Sequence, residues 1–241
     1  MTGAGGDDNF ATTRWTLVVA AGERSAPAAA MALEELCRIY WYPLYVYARR
    51  RGRTREDAED LTQSFFARLL ARNDFAGLAP ERGRFRGFLL ASFKNFLAND
   101  WDRSQRLKRG GGIATLSLDW QDAETRYQIE PVDLASPDKL FDRAWATTLL
   151  DCVISRLGDE YVAAGKAALF NELKSCLAYG KGAVSMASVA AALGIAEPTV
   201  RVLLHRLRHR FRDLLRDEIS QTVDGADQVA EELTTLFAAF G

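Results

Sequence analysis

Val189 to Arg216 reads VAAALGIAEPTVRVLLHRLRHRFRDLLR: a short helix, a glycine turn and a long amphipathic helix studded with arginine. In the second helix Val200, Leu203, Leu204, Leu207, Phe211, Leu214 and Leu215 recur at the spacing that lines one helical face. Arg201, His205, Arg206, Arg208, His209, Arg210 and Arg212 fall largely outside that stripe, a cationic side broken only by Asp213. Gly194 suits the left-handed position that ends a helix, and Pro198 suits the first turn of the next, where its missing N–H costs nothing. Ala196 falls at the N-cap, where Ser or Thr is usual, which weakens the helix start by roughly 1 kcal/mol. The pattern is that of a helix-turn-helix with its second helix against DNA, whose phosphates supply the counter-charge. The alternative is a solvated basic helix of an ordinary bundle.

With 241 residues and 48% hydrophobic content, the chain can bury the cores of two helical domains. A formal net charge of -1 argues against indiscriminate coating of nucleic acid, so any DNA contact comes from local basic faces. Cys37, Cys152 and Cys176 are widely separated and form no CxxC pair, which argues against a disulfide framework or thiolate zinc site and for a reducing cytoplasm. His205 and His209 are the only histidines, and no third metal ligand accompanies their i, i+4 spacing. No metal, cofactor or small-molecule substrate is therefore expected. A cytoplasmic location without membrane attachment is expected too, since the sequence carries neither a long apolar run nor a signal peptide.

Composition shifts mark the organisation. Residues 1–27 form a lead in which Trp15, Leu17, Val18 and Val19 suit a short extra helix, and helical patterns fill 28–107. Residues 108–139 carry Gly110, Gly111, Gly112, Pro131 and Pro137 and read as a linker, with Thr115 to Leu118 the only strand candidate. A second helical domain is expected over 140–219 and a helical extension over 220–241, where Val229, Leu233, Leu236, Phe237 and Phe240 recur. That tail could pack on the second domain, cover a DNA face or bind a partner's groove. The predicted fold is all-α, two helical domains joined by a flexible linker.

The first domain has its own signals. Thr54 and Asp57 open a helix in which Ala58, Leu61, Phe65 and Leu69 form the buried stripe, with Asp57, Asp60, Gln63 and Ser64 on the other side. The next helical stretch, GRFRGFLLASFKNFLANDWDRSQRLKR from Gly83 to Arg109, interleaves rings with cations, the combination that holds single-stranded DNA. Phe85, Phe88, Leu89 and Phe93 are assigned to the core, which leaves Asn95, Asn99, Asp100 and Trp101 as the exposed candidates.

Together these strings resemble the extracytoplasmic-function (ECF) group of the bacterial sigma-70 family. DAEDLTQSFFARLL at Asp57 to Leu70 is similar to region 2.2 of that family, FRGFLLASFKNFLANDWDR at Phe85 to Arg103 to regions 2.3 and 2.4, and VAAALGIAEPTVRVLLHRLRHRFRDLL to region 4.2. The resemblance implies a promoter-recognition subunit rather than an enzyme. No P-loop, metal-ligand cluster or Gly-x-Ser-x-Gly string opposes that.

Its implied partners are promoter DNA and core RNA polymerase (the β′ clamp and β subunits). Core docking maps to Asp57, Asp60, Gln63 and Ser64, and −10 element binding to Lys94, Asn95, Asn99, Asp100, Trp101 and Arg103. Reading of the −35 element maps to Glu197, Pro198, Thr199, Arg201, Val202, His205 and Arg206. The linker acids Asp119, Asp122, Glu124, Glu130 and Asp133 suit a segment lying in a basic channel, or simple solvation.

Two departures stand out. Ser64 replaces a usual acid and Thr62 a usual Val or Ile, so phosphorylation of either by a Ser/Thr kinase would supply a missing charge. Trp145 to Tyr179 is longer than the family's region 4.1, interrupted by Gly180-Lys181-Gly182. Control by an anti-sigma factor is the other regulatory expectation. The alternative function is a helix-turn-helix regulator that binds duplex DNA without docking on core polymerase.

Overall fold

In a computed structural model of the protein, the residues described are 27–72, 84–104, 120–129, 136–177, 185–223 and 226–241. They are helical, with no strand among them: α1 (Pro27–Arg50), α2 (Arg55–Arg72), α3 (Phe85–Ser104), α4 (Trp120–Ile129), α5 (Pro137–Ala163), α6 (Ala167–Leu173), a 3-10 turn (Lys174–Cys176), α7 (Met186–Leu193), α8 (Glu197–Ser220) and α9 (Ala226–Ala238). The all-α class follows. The lead, the strand candidate at Thr115 to Leu118 and the Gly180-Lys181-Gly182 interruption lie outside the described residues.

The chain forms two compact units, residues 1–145 with 220–241 and residues 146–219. These bounds differ from those read in the sequence, because the start of α5 and the whole C-terminal extension belong with the first unit.

In the first unit α1 is the axis. From Cys37 to Ala48 nearly every side chain is buried, including Tyr40, Trp41, Leu44, Tyr45 and Tyr47, as expected of a helix enclosed on all sides. Its neighbours meet it ring to ring. Tyr40 packs edge-on to Phe85 of α3 at 5.2 Å, and Tyr47 meets Phe93 at 6.2 Å. Phe65 of α2 packs on the same Phe93 at 5.1 Å. α1 ends on Gly52, whose φ of 83° lets the Arg53 N–H reach back to the Ala48 carbonyl and the Gly52 N–H to that of Arg49. Thr54 then caps α2 by accepting from the Asp57 N–H at 3.1 Å, as the sequence implies.

Two expectations need correction here. Within 108–139, residues 120–129 are the helix α4, docked on α1 rather than part of a flexible linker. Glu124 is buried, accepting from the Tyr45 hydroxyl and, at 3.2 Å, from Arg49, while Tyr127 stacks beneath the guanidinium groups of Arg49 and Arg50. This acid neutralises a cation inside the unit instead of lining an exposed linker. The tail, suggested among other places to pack on the second domain, does not pack there. α9 packs within the first unit, where buried Glu232 accepts from Arg86 at 2.8 Å and pairs with Arg84 at 3.1 Å. Arg86 further bonds Asp142 of α5 and lies 4.7 Å from the Trp145 ring. Burial holds the Asp142 carboxyl above its usual range despite Arg86.

In the second unit Leu149, Val153 and Leu157 of α5 are buried, as are Phe170, Leu173, Val189, Val200, Leu204 and Leu207. Ser185 caps α7 through the Ser188 N–H, and Gly194 ends it at φ 64°, the left-handed position expected of it. From α7 to α8 the axes turn by 101°, the geometry of a helix-turn-helix.

Candidate nucleic-acid and polymerase-binding surfaces

Along α8 the cationic side seen in the sequence divides in two. The first turns carry Pro198, Thr199, Arg201, Val202, His205 and Arg206 exposed and Glu197 half-buried. Arg201 is 71% exposed and linked to Glu197 only at 3.6 Å, and Val202, an apolar side chain, is 51% exposed. Guanidinium, hydroxyl, imidazole and methyl groups thus share one open surface at the start of the helix. That is the mixture able to address base edges and the thymine methyl in a major groove.

The rest of α8 is not a uniform basic face, which corrects the sequence reading. Arg208 donates to the Cys176 carbonyl at 2.9 Å, and Arg210 holds Glu160 of α5 through two nitrogens at 2.6 and 2.8 Å. His209 meets Asp213 at 2.9 Å. Arg156 ties α5 to Asp217 and buried Glu218 of α8. These arginines serve the fold. Arg210 also holds the Glu160 carboxyl below its usual range.

On α2, Asp57 and Asp60 are exposed and Gln63 and Ser64 half-buried, at spacings that keep them along one side. Thr62 is elsewhere. It is 0% exposed, its hydroxyl donating to the Ala58 carbonyl at 2.7 Å, so Thr62, against the sequence-based expectation, is inaccessible to a kinase in the folded unit. The buried stripe runs through Ala58, Thr62, Phe65, Phe66 and Leu69, with Leu61 half-buried.

α3 carries the expected exposed amides. Asn95 and Asn99 open onto a cleft of about 230 Å³ between α2 and α3, walled by Phe65, Phe88 and Phe96 and reached by Arg68, whose guanidinium lies 5.9 Å from the Phe96 ring. Aromatic walls with amide and guanidinium groups at the rim suit an unstacked base, which needs a π-face and partners for its edge. Arg68 was not legible as part of this site, since the cleft forms between two helices and neither one's periodicity reveals it. Of the other expected residues on this helix, Lys94 lies on a different face, paired with Asp138 and above the Tyr47 ring. The side chains of Asp100, Trp101 and Arg103 lie outside the described residues.

Among the described residues no group of His, Cys, Asp and Glu gathers as metal ligands, and no single helix is long and apolar enough to cross a membrane. In comparisons with known proteins, no family model, no curated sequence and no solved structure matches the chain.

Proposed function

We propose that the protein is a sigma factor of the ECF type, directing RNA polymerase to promoters. The first unit would do the region 2 work, with Asp57, Asp60, Gln63 and Ser64 on the core polymerase and the α2–α3 cleft taking a base of the opened −10 element. The second unit would read the −35 element as duplex through the first turns of α8. The observation that carries this reading is the pairing, in one chain, of a helix-turn-helix bend whose second helix opens on exposed polar and cationic groups with an amide-rimmed aromatic cleft. A regulator confined to duplex DNA has no use for the second. The motif strings at Asp57 to Leu70 and Phe85 to Arg103 point the same way.

A negative charge is missing from the docking side at Ser64, and phosphorylation there would add roughly −1.5 to −2 charges at neutral pH. The test is co-purification of the full chain with core RNA polymerase, beside an Asp60→Ala/Gln63→Ala variant and a Ser64→Asp variant. Binding by the native or Ser64→Asp chain that the double variant loses supports the reading. Absence of binding from every folded form overturns it and leaves a duplex-binding regulator.

A further inference from the structure

We propose that α4 is the built-in occupant of a single-strand-binding surface on α1, and that a strand of nucleic acid displaces it. Two groups of α4 meet α1, all within the first unit. The Glu124 carboxylate accepts from the Tyr45 hydroxyl and from the Arg49 guanidinium, 3.2 Å away. Three residues on, the Tyr127 ring lies 4.7 Å from the Arg49 guanidinium and 5.0 Å from that of Arg50, and edge-on to Tyr45 at 6.2 Å. Residues three apart are neighbours on a helix surface. An anion with a π-face beside it is what one nucleotide of an unpaired strand presents, and guanidinium planes, rings and hydroxyls are what receive it. An acidic peptide supplies the anion without the π-face.

The α1 side is assembled in advance. Trp41 and Tyr45 stack at 5.2 Å with 15° between their planes, and Tyr42 stacks on Tyr45 at 6.5 Å. Burial, and then the bond to Glu124, push the Tyr45 hydroxyl above its usual range, so it stays a donor at neutral pH.

The cover is lightly held. With ten residues α4 is shorter than the roughly 12–15 at which a helix is stable alone in water, so docking is what keeps it helical. Of its side chains that are described, Ala123 and Glu124 are buried. Glu124 is a carboxylate whose lost hydration is offset by Tyr45, Arg49 and, at 3.2 Å, Gln128. The Arg50 Nε is buried with no hydrogen-bond partner among the described residues. A phosphodiester in place of Glu124 brings oxygens for charge-assisted bonds to both arginines. This surface needs no polymerase and does not rest on the promoter reading.

The experiment measures binding of a labelled oligothymidine to the full chain, to Glu124→Gln and to Glu124→Gln/Arg49→Gln, with a thermal melt of each to confirm folding. Glu124→Gln removes the charge that holds α4, so strand affinity should rise about tenfold, the worth of stacking one base, and Arg49→Gln should remove the gain. In the native chain a saturating strand should also speed amide hydrogen exchange over residues 120–129, a readout that stands if Glu124→Gln fails to fold. Exchange unchanged at saturation overturns the proposal, as does a gain that Arg49→Gln leaves intact or the absence of strand binding from every folded form. A gain that falls instead when Asn95→Ala/Asn99→Ala is added to Glu124→Gln places the strand in the α2–α3 cleft, which overturns the proposal and leaves the promoter reading standing. Polyglutamate that speeds the exchange as well as the strand does means that charge alone opens α4, and refutes a nucleic-acid ligand.

Discussion

Glu232 of α9 accepts from the Arg86 Nε of α3 at 2.8 Å across 146 residues of sequence, and its side chain is 1% exposed. A carboxylate so enclosed loses its hydration, and what offsets that loss is the pairing with Arg86 and Arg84. Removing one partner leaves the others desolvated and unmatched. Glu232→Ala should therefore cost about 3–5 kcal/mol of stability in a denaturant melt. Glu231 also meets Arg84 but is 66% exposed, and Glu231→Ala should cost less than about 1 kcal/mol. Equal losses from the two substitutions would contradict the burial argument.

The Glu160–Arg210 pair predicts a pH dependence with a definite sign. Arg210 holds the Glu160 carboxyl below its usual range, so the folded state binds this proton less readily than the unfolded state. The pair's contribution is then fully present above the ordinary glutamate range and lost as pH falls through the lowered value. Both groups are partly exposed, which keeps the effect below about 1 kcal/mol. Glu160→Gln should be slightly less stable than the native chain at pH 7, and the gap should close in acid. A gap that widens as pH falls would reverse the sign argued here.

Local signals carried much of this fold into the sequence. Gly194 and Thr54 act through backbone geometry and a cap a few residues away, so they are readable without knowing any neighbour. Thr62 misled because a helical stripe has two edges. Leu61 and Thr62 flank the same face, and the packing of α2 on Phe93 selects the hydroxyl residue, which satisfies itself on the Ala58 carbonyl. Glu124 misled for a different reason. An acid between glycine- and proline-containing stretches reads as solvated, and only the arrival of Tyr45 and Arg49 from far along the chain makes burial affordable. Arg208 and Arg210 likewise match Arg201 in the helical pattern, and the partners that separate them, on the 3-10 turn and α5, lie outside α8.

Position 62 tests that packing directly. Thr62→Val keeps the shape and removes a hydroxyl whose acceptor already takes part in the helix, so stability should change by less than about 1 kcal/mol. Thr62→Glu puts a carboxylate into the interface and should unfold the unit or nearly so. A Ser/Thr kinase acting on the folded chain should leave phosphate on Ser64 and none on Thr62, as read by fragment mass spectrometry. Phosphate found on Thr62 of a chain with a native melt would refute the buried placement.

The cleft between α2 and α3 should distinguish opened from paired DNA. Asn95→Ala/Asn99→Ala removes rim groups that are exposed and outside the core, so the melt should stay near native. On the proposed reading, binding of a single-stranded oligonucleotide should weaken by about 1–3 kcal/mol, with any duplex binding through α8 unaffected. Equal weakening for every strand sequence would assign the amides to the backbone rather than to a base.

On α8, position along the helix should decide what each arginine does. Arg201 sits on the open first turns, so Arg201→Ala should cost about 1–3 kcal/mol in binding to a preferred duplex and relax the preference at one base pair. Arg210 is committed to Glu160, so Arg210→Ala should lower the melting temperature while leaving duplex selectivity alone. Fluorescence anisotropy on matched and single-mismatch duplexes, beside a thermal melt, separates the two effects. Selectivity lost on substituting Arg210 and kept on substituting Arg201 would mean that the helix meets DNA with its other end.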